Sequence, residues 1–300
     1  MEFEQLKNYY KILRGEKEAK FLKANIDLLI KKVEKIMEKC TLCERKCKVN
    51  RLEGEVGFCR VPNKMLIASE FLHYGEEFFF VPSHTIFFMG CNFHCQFCQN
   101  WSISQWYEEG YEIEPRELAE IIRIRKLQGS KNVNFVGGEP TPYLLWILKT
   151  LKELKDLNVN IPIIWNSNFY MTKKVMKILN KVVDVYLPDF KYGNDECARK
   201  LSLVENYVEV VARNLLLAKG EIVIRHLILP NHVECCSYQV LEWIAKNLGN
   251  KCIVNIMDQY TPYYKVWERE DLVYLRRGIS REEFEKVVRK AEELGITFIV

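Results

Sequence analysis

Apolar positions along the chain fall into two regimes. Over residues 1–39 they are sparse and set among charges. Leu28, Leu29, Ile30, Val33 and Ile36 form a rough stripe there, which predicts two charged helices. From about residue 84 the pattern turns regular, with short β-branched and aromatic runs alternating with amphipathic stretches. TIFFMG, NVNFVGG, IPIIWNSN, VVDVYLPDF, EIVIRHLILP and CIVNIMDQY read as six buried strands. Between them, EPRELAEIIRIRKLQG opens with Pro115 and repeats apolar side chains at Leu118, Ile121, Ile122 and Leu127. TPYLLWILKTLKEL sets Thr141 as an N-cap and Pro142 at the first helical position, where a missing N–H costs least. MTKKVMKILNK and the stretch from Val204 to Leu217 supply further helices.

Six βα units with short links dictate a parallel sheet with right-handed crossovers, either open or closed into a barrel. In both arrangements the loops at the carboxyl ends of the strands build the site. Between the two regimes lies CTLCERKCKVNRLEGEVGFCRV, residues 40–61. Its glycines and lack of periodicity predict loops folded round something.

Composition narrows the class. The hydrophobic share of 48% and charged share of 28% are those of a globular, enzyme-sized chain. Lys+Arg 44 against Asp+Glu 40 leaves a net charge of +4 over 300 residues, which argues against nucleic acid as a partner. The N-terminus, MEFEQLKNYYKILRGEKEAK, alternates charges and lacks the apolar core of a signal peptide. No run reaches the roughly 18 apolar residues of a membrane span, so the expectation is a cytoplasmic chain with no membrane partner.

Eleven cysteines in a reducing compartment are not read as disulfides. Seven of them fall in two tight clusters, the pattern of metal binding. Cys197, Cys235, Cys236 and Cys252 read as ordinary small apolar residues.

CNFHCQFCQN puts Cys91, Cys95 and Cys98 directly after the first strand of the regular region. A closed zinc site takes four ligands, and His94, adjacent to Cys95, would have to fold back to be the fourth. A four-iron cubane takes one thiolate per iron, so three thiolates leave one iron open to a substrate or cofactor. A zinc-binding or merely buried thiol loop is the alternative.

Cys91-x3-Cys95-x2-Cys98, with Phe97 just before the last cysteine, resembles the signature of the radical S-adenosylmethionine superfamily. The resemblance implies a partial (β/α)6 TIM-like barrel, an α/β fold, over residues 83–300, with a helical and cysteine-rich extension over residues 1–82. It implies that the open iron of a 4Fe-4S cluster chelates S-adenosylmethionine. One electron then cleaves the sulfonium to a 5′-deoxyadenosyl radical, which takes hydrogen from a substrate. The aromatic at Phe97 would lie beside the adenine.

FVGGEPTP ends the second strand, where two glycines allow close approach of a ligand and Glu139 leaves a carboxylate facing the site. The resemblance assigns Gly137, Gly138 and Glu139 to the methionyl ammonium. WNSNFY follows the third strand. In the pyruvate formate-lyase activating enzyme branch this loop reads Thr-Asn-Gly-Tyr and contributes to the cofactor site. Ser167, Asn168 and Tyr170 fit, but Phe169 replaces the glycine, against backbone-level contact there. A polar turn capping the next helix is the other reading.

LPDFK ends the fourth strand, and Asp189 and Lys191, two apart, point the same way and can pair. They match the Asp-x-Lys of activating enzymes and stand as candidate catalytic residues. IRHLILP offers Arg225 and His226 on opposite faces. The family pattern sends Arg225 to the cofactor and leaves His226 packed. NIMDQYTPYYK presents Asn255, Met257, Gln259 and Tyr260 to substrate or adenine.

Cys40-x2-Cys43-x3-Cys47-x11-Cys59 provides four thiols, enough for a closed site. Zinc there would be structural, whereas an auxiliary iron–sulfur cluster could pass electrons; the residues do not decide between them. This segment, with HYGEE (residues 73–77) and CQNWSISQ, resembles the leader of a branch similar to pyruvate formate-lyase activating enzyme. The implied partners are S-adenosylmethionine, an electron donor such as flavodoxin or ferredoxin, and a protein substrate, a glycine of a glycyl radical enzyme. Radical modification of a small molecule, RNA or another protein is the alternative. A non-enzymatic metal-binding adaptor or electron carrier is the reading from a different class.

Overall fold

The computed structural model describes residues 2–300. Nine strands form one sheet: β1 Leu66–His73, β2 Ser83–Phe88, β3 Tyr111–Glu112, β4 Asn132–Gly137, β5 Ile163–Ser167, β6 Val185–Pro188, β7 Glu221–Leu227, β8 Ile253–Met257 and β9 Phe298–Ile299. Their order is β3-β1-β2-β4-β5-β6-β7-β8-β9. The six strands expected from the apolar runs are β2 and β4 to β8, and they pair in parallel, each beside the next. β9 adds a parallel edge, while β1 is antiparallel to β2 and to β3. The molecule is therefore an α/β fold on a mostly parallel sheet.

β1 lies N-terminal to residue 82 yet pairs with β2 from His73↔Ser83 to Ile67↔Phe88. The cut at 82/83 thus runs through the sheet, and residues 66–73 belong to the sheet rather than to an appendage. Its sequence, LIASEFLH, hides this because an antiparallel strand with one face half exposed mixes polar with apolar positions.

The sheet is strongly curled. Glu77, just beyond β1, accepts hydrogen bonds from Arg225 of β7 and Asn255 of β8, both at 2.8 Å, so opposite sides of the sheet meet across the interior. The amino-terminal end of that interior is plugged with hydrocarbon. Ile164, Val185, Leu187, Val223 and Ile253 point in from the strands and meet Phe79, Phe80, Leu6, Tyr9 and Tyr10. Tyr9 and Tyr10 come from α1 (Lys7–Leu13). Each such buried side chain contributes about 1.5–3 kcal/mol.

The other helices are α2 Lys20–Lys23, α3 Ile26–Met37, α4 Trp101–Ser104, α5 Pro115–Leu127, α6 Leu144–Asp156, α7 Lys173–Leu179, α8 Asp195–Ser202, α9 Tyr207–Leu217, α10 Gln239–Asn247 and α11 Arg281–Glu293. No helix among the described residues is long and apolar enough to cross a membrane.

Four local readings are corrected. The N-terminal stretch carries three α-helices, and in α3 the buried face is Ile26, Leu29, Val33 and Met37, whereas Leu28 is 48% exposed. Leu127 is 77% exposed because it closes α5 where the helix leaves the core. Thr141 caps nothing. Residues Thr141–Tyr143 form a 3-10 turn ahead of α6, and the Thr141 hydroxyl is drawn to the buried Glu139 carboxylate. Val204 to Leu217 is not one helix: Leu203 (φ +53°) and Asn206 (φ +50°) turn left-handed between α8 and α9.

Candidate functional site

At the carboxyl ends of the strands a cavity of about 260 Å³ opens, lined by Cys91, Cys95 and Cys98, by Gly137 to Glu139, and by Asn166 to Asn168. Asp189, Lys191 and Arg225 complete its polar wall, while Phe97, Leu227, Met257 and Tyr260 complete its apolar one. The predicted site residues of the strand-end loops thus meet in one place.

The cysteine loop is held from outside by its backbone. His94 N–H donates to Ser202 O (3.2 Å) and Gln96 N–H to Leu201 O (2.8 Å), both on α8. Each sulfur also has a polar neighbour. The Phe93 amide (3.3 Å) and Asn168 Nδ2 (3.8 Å) donate to Cys91, the Ser202 hydroxyl donates to Cys95 at 2.9 Å, and Ser104 lies 3.3 Å from Cys98. Burial raises all three thiols, Cys98 to about 11. Thiols buried in this way ionise when positive charge arrives, as it does with iron. The set fits a multi-iron cluster. His94 stays off it, its ring 4.3 Å from that of Phe58.

The two glycines clear space for backbone. A Cβ on Gly138 would sit 1.9 Å from Gly90 O, and one on Gly137 (φ +113°) 2.1 Å from the Phe88 amide. They press the end of β4 flush against the root of the cysteine loop, and both also line the cavity. Glu139 is thereby sealed beside Cys91. Its carboxylate accepts from Thr141 and from the Asn168 amide at 3.0 Å, and burial still pushes it up to about 7. A cationic ligand group in the cavity would offset that cost.

Phe169 keeps the glycine's conformation without being glycine, at φ +60°. Its ring is buried against Tyr186 (5.5 Å), and Asn214 Nδ2 donates to its carbonyl at 2.8 Å. The loop therefore retains the turn that the family motif builds with glycine. Ser167 spends its hydroxyl on the Phe169 amide (2.9 Å), so it acts within the turn.

Lys191 and Asp189 pair at 2.6 Å. Burial alone would lower the Lys191 ammonium, but Asp189 and then Cys95 hold it above its ordinary range. Arg225 lines the cavity, yet its Nε and Nη2 bind Glu77 at 2.8 and 2.9 Å and Nη2 also meets Glu76. These contacts make it a strut across the interior. His226 is packed as expected, bonded to Phe190 O (2.7 Å) and Ser237 (2.8 Å). Met257, Gln259 and Tyr260 line the cavity, but Asn255 is turned to Glu77.

Residue-by-residue reading missed Glu77, Asn92 and Asn134. Asn134 is fully buried, and both ends of its amide lack a protein partner, as does Nδ2 of Asn166. Asn166 lines the cavity, where a ligand could satisfy it.

The four N-terminal thiols line a second pocket, which Asn92 and Thr141 also line. Asn92 accepts from Asn168 at 2.5 Å and Thr141 holds Glu139, so one wall serves both sites. Lys46, Lys48 and Arg60 all adopt positive φ around these cysteines, strain of the kind stored where a loop wraps a ligand. Cys252 is buried apart as an apolar residue. Cys197 and Cys235 are not ordinary, for they converge with His232, and Cys236 Sγ lies 3.8 Å from Cys235 Sγ.

The family model of the Radical SAM superfamily matches residues 85–244. An uncharacterized protein of Methanocaldococcus jannaschii is 49% identical over 287 residues, 93% of this chain and 82% of its own. A second from the same organism is 27% identical over 254 residues, 76% and 72%. Among solved structures, Streptococcus suis SuiB bound to S-adenosylmethionine matches with a TM-score of 0.53 at 17% identity, covering 70% of this chain. This chain spans 48% of the length of SuiB. Methylornithine synthase (PylB) matches with a TM-score of 0.51 at 13% identity, over 97% of this chain and 77% of that one. Both show the shared fold. A match over more than half of its length is membership: the chain belongs to the Radical SAM superfamily, enzymes that pair a 4Fe-4S cluster with S-adenosylmethionine.

Proposed function

We propose that this enzyme takes a hydrogen atom from a glycine of a partner polypeptide, in the manner of an activating enzyme. The observation that carries the placement of the cofactor is the burial of Glu139 in the same cavity as the three thiols. When bound, the cluster and S-adenosylmethionine supply the electron and the hydrogen-abstracting group.

In this reading Cys91, Cys95 and Cys98 hold the cluster. Glu139 and the Gly137–Gly138 backbone receive the methionyl ammonium, with Asn168 fixing the carboxylate from behind. Phe97 and Tyr260, edge to face at 5.8 Å, close an apolar wall for the adenine and keep water out. The Asp189–Lys191 pair keeps the Lys191 proton in place and presents a fixed dipole to the substrate. The Asp-x-Lys spacing supports the activating-enzyme assignment. SuiB, which shares the fold, has been solved bound to precursor peptide SuiA, and that supports a polypeptide substrate.

For the N-terminal thiols, the reading is an auxiliary iron–sulfur cluster that relays the electron from a donor such as flavodoxin or ferredoxin. Four cysteines share one pocket, which is one thiolate for each iron of a cubane.

The test is anaerobic reconstitution followed by incubation with dithionite and S-adenosylmethionine. Release of 5′-deoxyadenosine and methionine is expected, and its absence from fully iron-loaded protein would defeat the enzyme reading. Co-incubation with a captured partner should then give a protein-bound radical by electron paramagnetic resonance. Modification of a small molecule or RNA instead, with no such signal, would remove the glycine assignment.

A further inference from the structure

A third group of metal-type ligands lies outside both cysteine clusters. Cys197 Sγ, a His232 ring nitrogen and Cys235 Sγ all lie within 4.8 Å of one another. Cys197 and Cys235 sulfurs are 4.0 Å apart, and Cys236 Sγ is 3.8 Å from Cys235 Sγ. A disulfide would need about 2 Å. Four ligands at zinc–sulfur lengths of about 2.3 Å stand about 3.8 Å apart at the corners of a tetrahedron.

We propose that Cys197, His232, Cys235 and Cys236 form a structural site for a single zinc-class ion, distinct from both cysteine clusters.

The surroundings are those of a built site. His232 Nδ1 lies 2.8 Å from Pro230 O. Donation to that carbonyl leaves Nε2 bare for a metal, as in histidines that ligate zinc. His232 and Cys236 are buried, while Cys197 and Cys235 are partly open, which gives an ion a way in. Asn194 Nδ2 donates to Cys235 O at 2.8 Å, tying the start of α8 to the segment that carries the cysteine pair. That segment, Val233–Tyr238, is a π-helical turn, a form that widens a helix and is frequent at functional sites. A Cβ on Gly193 would meet Cys235 O and Cys236 O at 2.9 Å, so the two segments are in backbone contact.

The ion would act as a clamp. Cys197 sits near the start of α8, and Ser202 at its end donates to Cys95 while Leu201 and Ser202 carbonyls hold the cysteine loop. Zinc here fixes α8 against the segment after β7, and α8 in turn fixes the loop that carries the three thiols. The inference does not depend on what the enzyme acts on.

The test uses anaerobically purified, iron-loaded protein, chelator-treated and then supplied or not with zinc sulfate. Peptide-resolved alkylation by iodoacetamide reads each cysteine separately, so the N-terminal thiols do not confuse the result. Zinc should slow labelling of Cys197 and Cys235 by at least about tenfold. Equal labelling with and without zinc, or a Cys197–Cys235 disulfide in the anaerobic protein, would overturn the proposal. Cys197→Ser and His232→Gln should each lose one zinc equivalent per chain while Cys252→Ser keeps it. Unchanged zinc content in folded variants would overturn it as well, and the wild-type labelling decides the matter should the variants not fold.

Discussion

Ser202, the last residue of α8, donates its hydroxyl to the sulfur of Cys95 at 2.9 Å. Hydrogen bonds to cluster sulfurs make the reduced, more negative state easier to reach. Ser202→Ala should therefore move the reduction potential of the three-cysteine cluster to a more negative value and slow S-adenosylmethionine cleavage. Potentiometric titration followed by electron paramagnetic resonance reads this directly. An unchanged potential would show that the contact does not act on the metal.

Glu139 supplies a pH dependence. Burial raises its carboxyl from 4.5 to about 7 in the folded protein. The folded state thus binds a proton that the unfolded chain releases at lower pH. The stability this contributes is complete below about pH 4.5 and is lost as pH rises through about 7. In the cofactor-free protein, thermal unfolding should shift downward across that window, and Glu139→Gln should flatten the shift.

Phe169 sets two terms against each other. Its φ of +60° costs about 1–2 kcal/mol for a non-glycine residue. Removing its fully buried ring costs about 3–5 kcal/mol. Phe169→Gly should therefore be destabilising by about 2 kcal/mol, measured by chemical denaturation, even though it restores the family's glycine.

Arg225 faces two acids across the curled sheet. Arg225→Met would leave Glu77 buried without a cation and Glu76 with only His73 at 3.4 Å, and loss of about 3–5 kcal/mol is expected. Replacing Arg225, Glu76 and Glu77 together by neutral groups of similar size should recover most of it. A single variant as stable as the parent would mean that water enters the interior there.

The parts legible in the sequence are those whose geometry is local. Six parallel strands show as apolar runs because both of their faces are covered. β1 does not, because Ser69 and Glu70 interrupt its apolar positions and only Leu66 and Ile67 are buried. The cysteine loop is legible because Cys91, Cys95 and Cys98 are held within eight residues by the chain itself. Glu139 is legible through its place at a strand end, but the reason for Gly137 and Gly138, the backbone of Phe88 to Gly90, is not. Thr141 reads as a helix cap from its neighbours in sequence, and only the buried carboxylate two residues earlier redirects it.

From the order of its residues alone, this chain already specified a parallel βα architecture and three thiols poised at the first strand end. Tertiary structure alone brought Arg225 to Glu77, 148 residues away, and Cys197 to Cys235, 38 residues away. The reason is physical: short spacings are set by fixed backbone dimensions, whereas distant meetings depend on how far the sheet twists and curls before its interior is filled.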